Sequence, residues 1–290
     1  MKAAIVYKIS IWEIYKDSPD EETRAYLERG GKNLETLQRS SEIQKETLRK
    51  TLSALEDAGI DHQRIYRAEL TPESIAGADL VISVGGDGTF LEASHVVPPE
   101  IPMLGVNSDP ERSVGFFAAT DAGGIGAVIA DLDAQPRTEI TRLQAFVEGQ
   151  MVGPPVLNDV LFAHPNPAAT SRYRLLHPSD DPPGEARRFR NSGLLICSAA
   201  GSSGWMYQEH GMLMQLDDQR MQFLHRGMRE SRPTLTDSGQ VEIESLTRRG
   251  VVFIDGERTR VPLTLGQRLS VRPGAALTII GDLAAKRDLD

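Results

Sequence analysis

One glycine-rich segment, Gly85-Gly86-Asp87-Gly88-Thr89, has residue types and spacing that could do chemistry. Its glycines let the backbone approach a ligand closely, and a helix that starts after them would point free N–H groups at an anion. Asp87 adds one carboxylate, which could accept a proton from a hydroxyl while the backbone holds phosphate oxygens. The segment therefore predicts phosphoryl transfer. On these residues alone, a ligand-free turn in which Asp87 caps the helix is the alternative.

The stretches around this segment predict the elements that must position it. Residues 78–84 form a nearly continuous apolar run, as in a strand that is buried on both faces. A short helix over 89–97 and a second strand over 101–106 complete a βαβ unit and hence a parallel sheet. A longer helix is predicted over 34–58, whereas 11–33 is charged and irregular. Because ligands of open α/β sheets bind beyond the carboxyl ends of strands, the glycine segment occupies a ligand-binding position.

The pattern of the sequence changes after about residue 120. Apolar and polar residues alternate, as at 241–244, which indicates antiparallel strands, and a Pro/Asp-rich loop is predicted at 178–184. We therefore predict an α/β N-terminal domain with a parallel, Rossmann-like sheet over 1–125. A β-rich domain with mainly antiparallel strands follows over 126–275. The C-terminal segment 276–290 is expected to pack back on the first domain.

Composition limits the classes of function. The chain has 290 residues, a formal net charge of −9 and a single cysteine, Cys197. The acidic balance argues against a general nucleic-acid binder, and no apolar run approaches the ~18 residues that a membrane span needs. A lone cysteine excludes an intrachain disulfide and a CxxC metal site. We therefore expect a cytoplasmic protein with small-molecule ligands and with neither a nucleic-acid nor a membrane partner.

Further segments, in order, make the chain similar to the NAD kinase family. The glycine segment itself is shared with diacylglycerol and sphingosine kinases, whereas the later segments resemble the NAD kinases. The form of the second-strand loop, with Asp-Pro-Glu-Arg-Ser at 109–113, is typical of the plant NADH kinase and mitochondrial NAD kinase branch. The later matching segments are 104–113, 157–160, 164–172, 192–203 and 254–256.

The resemblance implies an ATP-dependent kinase that phosphorylates the 2′-hydroxyl of the adenosine ribose of NAD or NADH, giving NADP(H). Asp87 would be the general base that receives the hydroxyl proton. The family uses a divalent metal, usually Mg²⁺, and its members are homo-oligomers, here expected to be a dimer. Two alternatives stay open: a lipid kinase with the same glycine segment, and a dinucleotide-binding regulator without catalysis.

The resemblance also implies which residues bind the dinucleotide. They are the neighbours of the base, an Asn-acid pair, parts of a glycine-rich loop and a late aspartate: Gly86, Gly88, Thr89, Asn158, Asp159, Ser192, Ser203, Gly204, Trp205 and Asp255. Many NAD kinases have an acid where this chain has Ser192, so the contacts at the nicotinamide end are expected to differ. Arg112, Arg172 and Arg226 are candidates for pairing with ATP phosphate oxygens.

Overall fold

The computed structural model describes residues 1–29, 32–178, 187–237 and 239–287. The chain divides into two compact units, and each is described by itself. The first unit comprises Met1–Thr138 and Thr278–Asp290, and the second comprises Glu139–Leu277. The predicted loop at 178–184 lies outside the described residues, apart from Pro178.

The elements of the first unit alternate between strands and helices. In chain order they are β1 (Lys2–Tyr7), α1 (Ile11–Tyr15), α2 (Glu21–Glu28), α3 (Lys32–Asp57), β2 (Asp61–Tyr66), β3 (Leu80–Gly85), α4 (Asp87–Ser94), β4 (Met103–Asn107), β5 (Ala118–Asp121) and α5 (Ile125–Ala130). The described residues of this unit also form 3₁₀ turns, namely Arg67–Glu69, Glu73–Ile75, Leu132–Ala134 and, near the C-terminus, Ala284–Lys286. No helix of the described residues has the length and apolar character that crossing a membrane requires.

The elements of the second unit are almost all strands. They are β6 (Arg137–Val147), β7 (Gln150–Val156), β8 (Asp159–Ala163), β9 (Ser171–His177), β10 (Arg188–Asn191), β11 (Gly193–Cys197), a 3₁₀ turn (Ala200–Ser203), α6 (Trp205–Gln208), β12 (Met221–Arg226), β13 (Thr234–Thr236), β14 (Val241–Ser245), β15 (Gly250–Ile254), β16 (Thr259–Leu263) and β17 (Arg268–Ile280). β6 begins and β17 ends in the first unit.

The first unit is built on a parallel sheet of order β2–β1–β3–β4, which confirms the predicted α/β domain. Every residue of β3 is buried, as its apolar sequence predicts for a strand covered on both faces. The last residues of β17, Ile279 and Ile280, pair in parallel with the start of β4, and β5 pairs with its end. The carboxyl ends of β1, β3 and β4 therefore lie at one edge, where β3 leads into α4.

The boundary between the units lies at 138/139, and not at the expected 125/126. The physical reason is the packing of α5, because Ile125 and Ile129 are buried in the same core as Leu55 of α3 and the strands of the sheet. At the other end the division lies at 277/278, against an expected 275/276.

The second unit carries an antiparallel sheet of order β13–β12–β11–β8–β15–β16, which confirms the predicted β-rich domain. Alternate residues of β8 enter two different cores, as the period-two geometry of a strand requires. Val160 and Phe162 pack in the large core with residues of β9, β14 and β17. Leu161 packs on the other face with Cys197 and with Met206 of α6.

The expectation that residues 11–33 are irregular is wrong, because α1 and α2 lie there. Both helices begin at side-chain caps: the Ser10 hydroxyl accepts from Glu13 N–H at 3.1 Å, and the Asp20 carboxylate accepts from Thr23 N–H at 2.7 Å. Glu13 also pairs with Lys45 of α3 at 2.5 Å. Helices this short show little apolar periodicity, so caps and ion pairs define them instead.

Substitution of Gly105 by alanine tests how tightly β4 and β5 are joined. A Cβ at Gly105 would lie 2.2 Å from the carbonyl oxygen of Phe117 and 2.8 Å from Cα of Ala118, both backbone atoms that cannot rotate away. We expect Gly105→Ala to lower the free energy of unfolding by about 1–3 kcal/mol in urea titrations. Gly126→Ala in α5 is the matched control, since nothing lies within 4 Å of its added Cβ. Equal stability of the two variants would contradict the close approach.

Candidate active site

The glycine segment bridges the end of β3 and the start of α4. Gly86 is the N-cap, and its carbonyl oxygen accepts from the N–H groups of Thr89 and Phe90 at 2.9 and 3.3 Å. A Cβ on Gly85 would lie 2.4 Å from Oγ1 of Thr89, and one on Gly86 would lie 2.8 Å from Oγ of Ser113. Close packing against Cβ of Thr89, 2.6 Å from the added atom, therefore demands glycine at position 85, whereas at position 86 the Ser113 hydroxyl can rotate away.

Asp87 is the first residue of α4 and is half-buried. Its Oδ1 accepts a hydrogen bond from the backbone N–H of Phe117 at 3.0 Å, so the carboxylate is held by the loop before β5. The interpretation of Asp87 as the cap of α4 is wrong, because Gly86 occupies that position.

Polar groups of neighbouring strands meet near this edge of the sheet. Asn107, the last residue of β4, donates to the Ser113 carbonyl at 2.9 Å and accepts from Asp109 N–H at 3.1 Å. Lys8 directly follows β1, and burial lowers its pKa, partly offset by the negative charge of Asp109. Sequence reasoning missed Lys8. The signal was available, since a lysine directly after a strand of a parallel sheet lies at the ligand-binding edge.

A second cluster, in the second unit, is arranged around Asp255. This residue follows β15 with φ +46°, and its two carboxylate oxygens accept backbone N–H groups from Leu157, Asn158 and Asp159 at 2.8, 2.8 and 3.0 Å. Asp255 N–H in turn donates to the Asp159 carbonyl at 2.9 Å. Three backbone donors hold the Asp255 carboxylate in place and fix the start of β8, where the Asn-acid pair lies.

The side chains of Asp159 and Asn158 both have capacity for interaction with a ligand. Burial raises the pKa of Asp159 to about 7, the negative charge of Asp255 adds to the rise, and Arg226 opposes it. Oδ1 of Asn158 is buried and has no hydrogen-bond partner among the described residues. Because the pair lies where β8 begins, and not inside it, both side chains can serve one ligand.

The glycine-rich loop packs directly on this pair. A Cβ on Gly201 would lie 2.1 Å from the Asn158 carbonyl oxygen, and that oxygen accepts Ser198 N–H at 2.9 Å. The Ser203 hydroxyl donates to the Ala200 carbonyl at 3.1 Å, and Gly204 then starts α6. Sequence reasoning missed Ser198 and Gly201 as positioning residues, although both lie in the matching segment 192–203.

The remaining candidates of the second unit are only partly brought together. The Arg226 guanidinium lies 4.5 Å from the centroid of the Trp205 ring and donates to Glu209 at 2.8 Å, so one face of the indole is covered. Ser192 is exposed at the opposite end of β11 from Cys197, which pairs with Asp159. The Ser192 N–H donates to the Arg226 carbonyl at 3.0 Å. Ser192 is thus joined to Arg226 and stands apart from Asp159.

The other two arginine candidates are exposed. Arg112, in the first unit, donates to the Thr36 carbonyl at 3.0 Å. Arg172 lies on β9, opposite Arg190 of β10. Throughout the described ranges, no group of three or more His, Cys, Asp or Glu side chains is arranged to hold a metal ion.

Comparison with known proteins places these clusters in a family. The family model described as the ATP-NAD kinase N-terminal domain matches residues 18–132. A probable NADH kinase of Oryza sativa subsp. japonica is 31% identical over 264 residues, which cover 81% of this chain and 80% of that protein. The chain belongs to the NAD kinase family. A mitochondrial NAD kinase 2 of Rattus norvegicus is 26% identical over 237 residues, covering 67% of this chain and 55% of that protein.

Solved structures of NAD kinases share the fold. An NAD kinase from Archaeoglobus fulgidus in complex with ATP superposes with a TM-score of 0.68 at 16% identity, covering 100% of this chain and 97% of that one. Yeast NADH kinase complexed with NADH gives a TM-score of 0.69 at 13% identity, covering 99% and 85%. The resemblance found in the sequence, including its plant NADH kinase branch, is therefore confirmed.

The raised pKa of Asp159 predicts a pH-dependent stability of this NAD kinase family member. The folded state holds the proton up to a pKa of about 7, whereas the unfolded value is near 3.8, so the contribution of Asp159 to stability falls as the pH rises between these values. Asn mimics the neutral acid. The measured quantity is the free energy of unfolding of Asp159→Asn minus that of the parent. We expect this difference to increase by roughly 1–3 kcal/mol from pH 5 to pH 7 and then to level off.

Urea titrations from pH 5 to pH 9 measure this difference. Asp217→Asn is the matched control in the same unit, since Asp217 is exposed. A pH-independent difference between Asp159→Asn and the parent would show that Asp159 is ionised throughout.

Proposed function

We propose that the protein is an ATP-dependent NAD(H) kinase, which transfers a phosphoryl group to the 2′-hydroxyl of the adenosine ribose and yields NADP(H). The observation that carries the proposal is the Asp87 carboxylate, fixed by the Phe117 N–H at the start of the helix that follows the glycine loop. Membership of the NAD kinase family supports the choice of substrate. The names of the relatives cover both NAD and NADH as acceptors.

Asp87 acts as the general base in this proposal. Its carboxylate accepts the proton of the ribose hydroxyl while the hydroxyl oxygen attacks the γ-phosphorus of ATP, and the bond from that phosphorus to the bridging oxygen breaks to release ADP. Gly86, Gly88 and Thr89 line the ribose and phosphate positions, and the N-terminal end of α4 favours negative charge there. The Thr89 hydroxyl is buried without a hydrogen-bond partner in the described part of the chain, so it has capacity for a ligand oxygen.

Asn158 and Asp159 bind the adenosine part of the dinucleotide in this proposal. The unpartnered Oδ1 of Asn158 can accept from an amino group or a hydroxyl. Asp255 has a supporting role, because its carboxylate oxygens already accept three backbone N–H groups. Ser203, Gly204 and Trp205 form a wall of the pocket, with Ser192 at the nicotinamide end.

ATP is the proposed phosphoryl donor, and Mg²⁺ enters with it as a bound substrate ion. The donor set fits this route, because Mg²⁺ in kinases is held largely by phosphates and one or two carboxylates, and the described residues contain no ready-made cluster of three ligands. Arg112, Arg172 and Arg226 are the proposed partners of phosphate oxygens. Of these, Arg226 already pairs with Glu209.

We further propose a cytoplasmic homodimer. The one cysteine of the chain, Cys197, is buried, which suits a reducing compartment. The net charge of −9 disfavours binding of a polyanion such as nucleic acid. Small anionic ligands can still be bound by local backbone dipoles. Size-exclusion chromatography with light scattering measures the oligomeric state directly.

Incubation with Mg²⁺-ATP, with NAD and NADH offered in parallel, tests the function. Mass spectrometry of the products identifies NADP or NADPH and shows which acceptor is preferred. Parallel reactions with polyphosphate as donor, and with diacylglycerol or sphingosine as acceptor, test the other donor and the lipid kinase alternative. Dinucleotide binding without product would support a regulator and overturn the proposal.

Asp87→Asn tests the base. The amide keeps the size of the side chain and can still meet the Phe117 N–H through its oxygen, but it cannot take the proton. We expect kcat to fall by about 10²–10⁴-fold, with dinucleotide affinity and the circular dichroism spectrum nearly unchanged. Asp61→Asn, on an exposed position of edge strand β2, is the matched control and should keep full activity. Full turnover of Asp87→Asn would remove Asp87 from the mechanism.

A further inference from the structure

Lys286, close to the end of the described chain, is joined to the loop that holds the proposed base. Its ammonium group donates to the carbonyl oxygen of Gly115 at 2.7 Å and to that of Ala118. These carbonyls flank Phe117, whose N–H donates to Oδ1 of Asp87. Lys286 therefore binds both ends of the turn that positions Asp87, although it lies about 170 residues from this turn in the sequence.

The turn from Gly115 to Ala118 is a tight structure that needs such support. Gly115 has φ +60°, and its carbonyl oxygen also accepts Ala118 N–H at 3.0 Å, which closes the turn. Two carbonyls that point to the same side gather negative partial charge, and the ammonium neutralises it. Without the ammonium, both carbonyls lose a charge-assisted bond and the turn can rotate.

Aromatic packing carries the effect of the turn to α4. The Phe117 ring stacks on Phe90 of α4 at 5.0 Å between centroids, and Phe116 packs edge-on against Phe117 at 5.0 Å. The Arg287 guanidinium lies 5.4 Å from the Phe116 ring centroid. Two neighbouring cations of the C-terminal segment therefore contact the turn. The Lys286 ammonium binds its carbonyl oxygens, and the Arg287 guanidinium lies over the Phe116 ring.

The segment that carries Lys286 is itself anchored. Gly281 N–H donates to the Pro136 carbonyl at 2.7 Å, and the Thr138 hydroxyl donates to the Gly281 carbonyl at 2.8 Å. Leu283 is fully buried, and the turn Ala284–Lys286 follows directly. An anchored backbone and a pair of acceptors give the long lysine side chain one defined position.

The charge of Lys286 acts on the same carboxylate. Burial lowers the pKa of Lys286, and the negative charge of Asp87 partly offsets that effect, so the two groups interact electrostatically. Among the described residues, Asp121 lines a cavity of about 270 Å³ together with Lys286. The ammonium thus lies in the electrostatic environment of the base as well as at the loop that positions it.

We infer that Lys286 is a positioning residue for catalysis: it holds the Gly115–Ala118 turn so that Phe117 N–H orients Asp87. This inference rests on the proposed role of Asp87. It adds to the site a residue that lies far from the glycine segment in the sequence.

Lys286→Met tests the inference, because methionine keeps an unbranched side chain and removes the charge and the donors. We expect kcat to fall about 10-fold or more, with KM for ATP and for the dinucleotide within about twofold of the parent. Lys286→Arg should restore much of kcat, since it keeps the charge and the donors. Lys50→Met, on the exposed face of α3, is the matched control with parental kinetics.

Hydrogen exchange measures the loop directly and does not depend on activity. In Lys286→Met, the Phe117 amide should exchange faster, while the amides inside β3 keep their protection. Parental kcat and parental Phe117 exchange in Lys286→Met would overturn the inference. Global loss of protection would assign Lys286 a purely structural role and would overturn it as well. Failure of the proposed function is a separate result: the parent would then make no NADP(H), or Asp87→Asn would be fully active.

Discussion

The orientation of one carboxylate, Asp87, depends on a hydrogen bond from a backbone N–H that belongs to a different strand connection. The parallel sheet brings the end of β3 next to the end of β4, and the chain beyond β4 returns to place Phe117 against that carboxylate. Stacking of Phe117 on Phe90 holds that loop. Gly85 and Gly105 permit the close approaches on which this geometry depends, and the role that we propose for Asp87 requires a fixed geometry.

Asp159 and Asp255 of the second unit are neighbouring acids in different environments. Asp255 accepts three backbone N–H groups, whereas Asp159 is buried beside it and has a pKa raised to about 7, first by burial and then by the negative charge of Asp255. The start of β8 thereby has one carboxylate whose oxygens are already engaged by the backbone and one group that can donate or accept.

The βαβ unit around residue 85 was predictable because a buried strand, a glycine turn and a short helix each leave a local mark in the sequence. The alternation at Val241 and Ile243 marked the antiparallel strand β14 equally well. Short helices such as α1 escaped prediction, since caps and ion pairs to distant residues define them. The contact of Lys286 with the carbonyls of the loop before β5 had no local signal, because only the folded chain brings the two segments together.

The discontinuous first unit has a consequence for biosynthesis. Residues 1–138 emerge first, and β5 then pairs with the end of β4, but Met103 and Leu104 at the start of β4 have no partner on that edge until Ile279 and Ile280 of β17 arrive. During translation the nascent sheet therefore carries an open strand edge for as long as the whole second unit takes to be made. Unpaired strand edges can pair with strands of other chains. The nascent chain therefore needs either protection by a chaperone or a sheet that forms only after the second unit has been made.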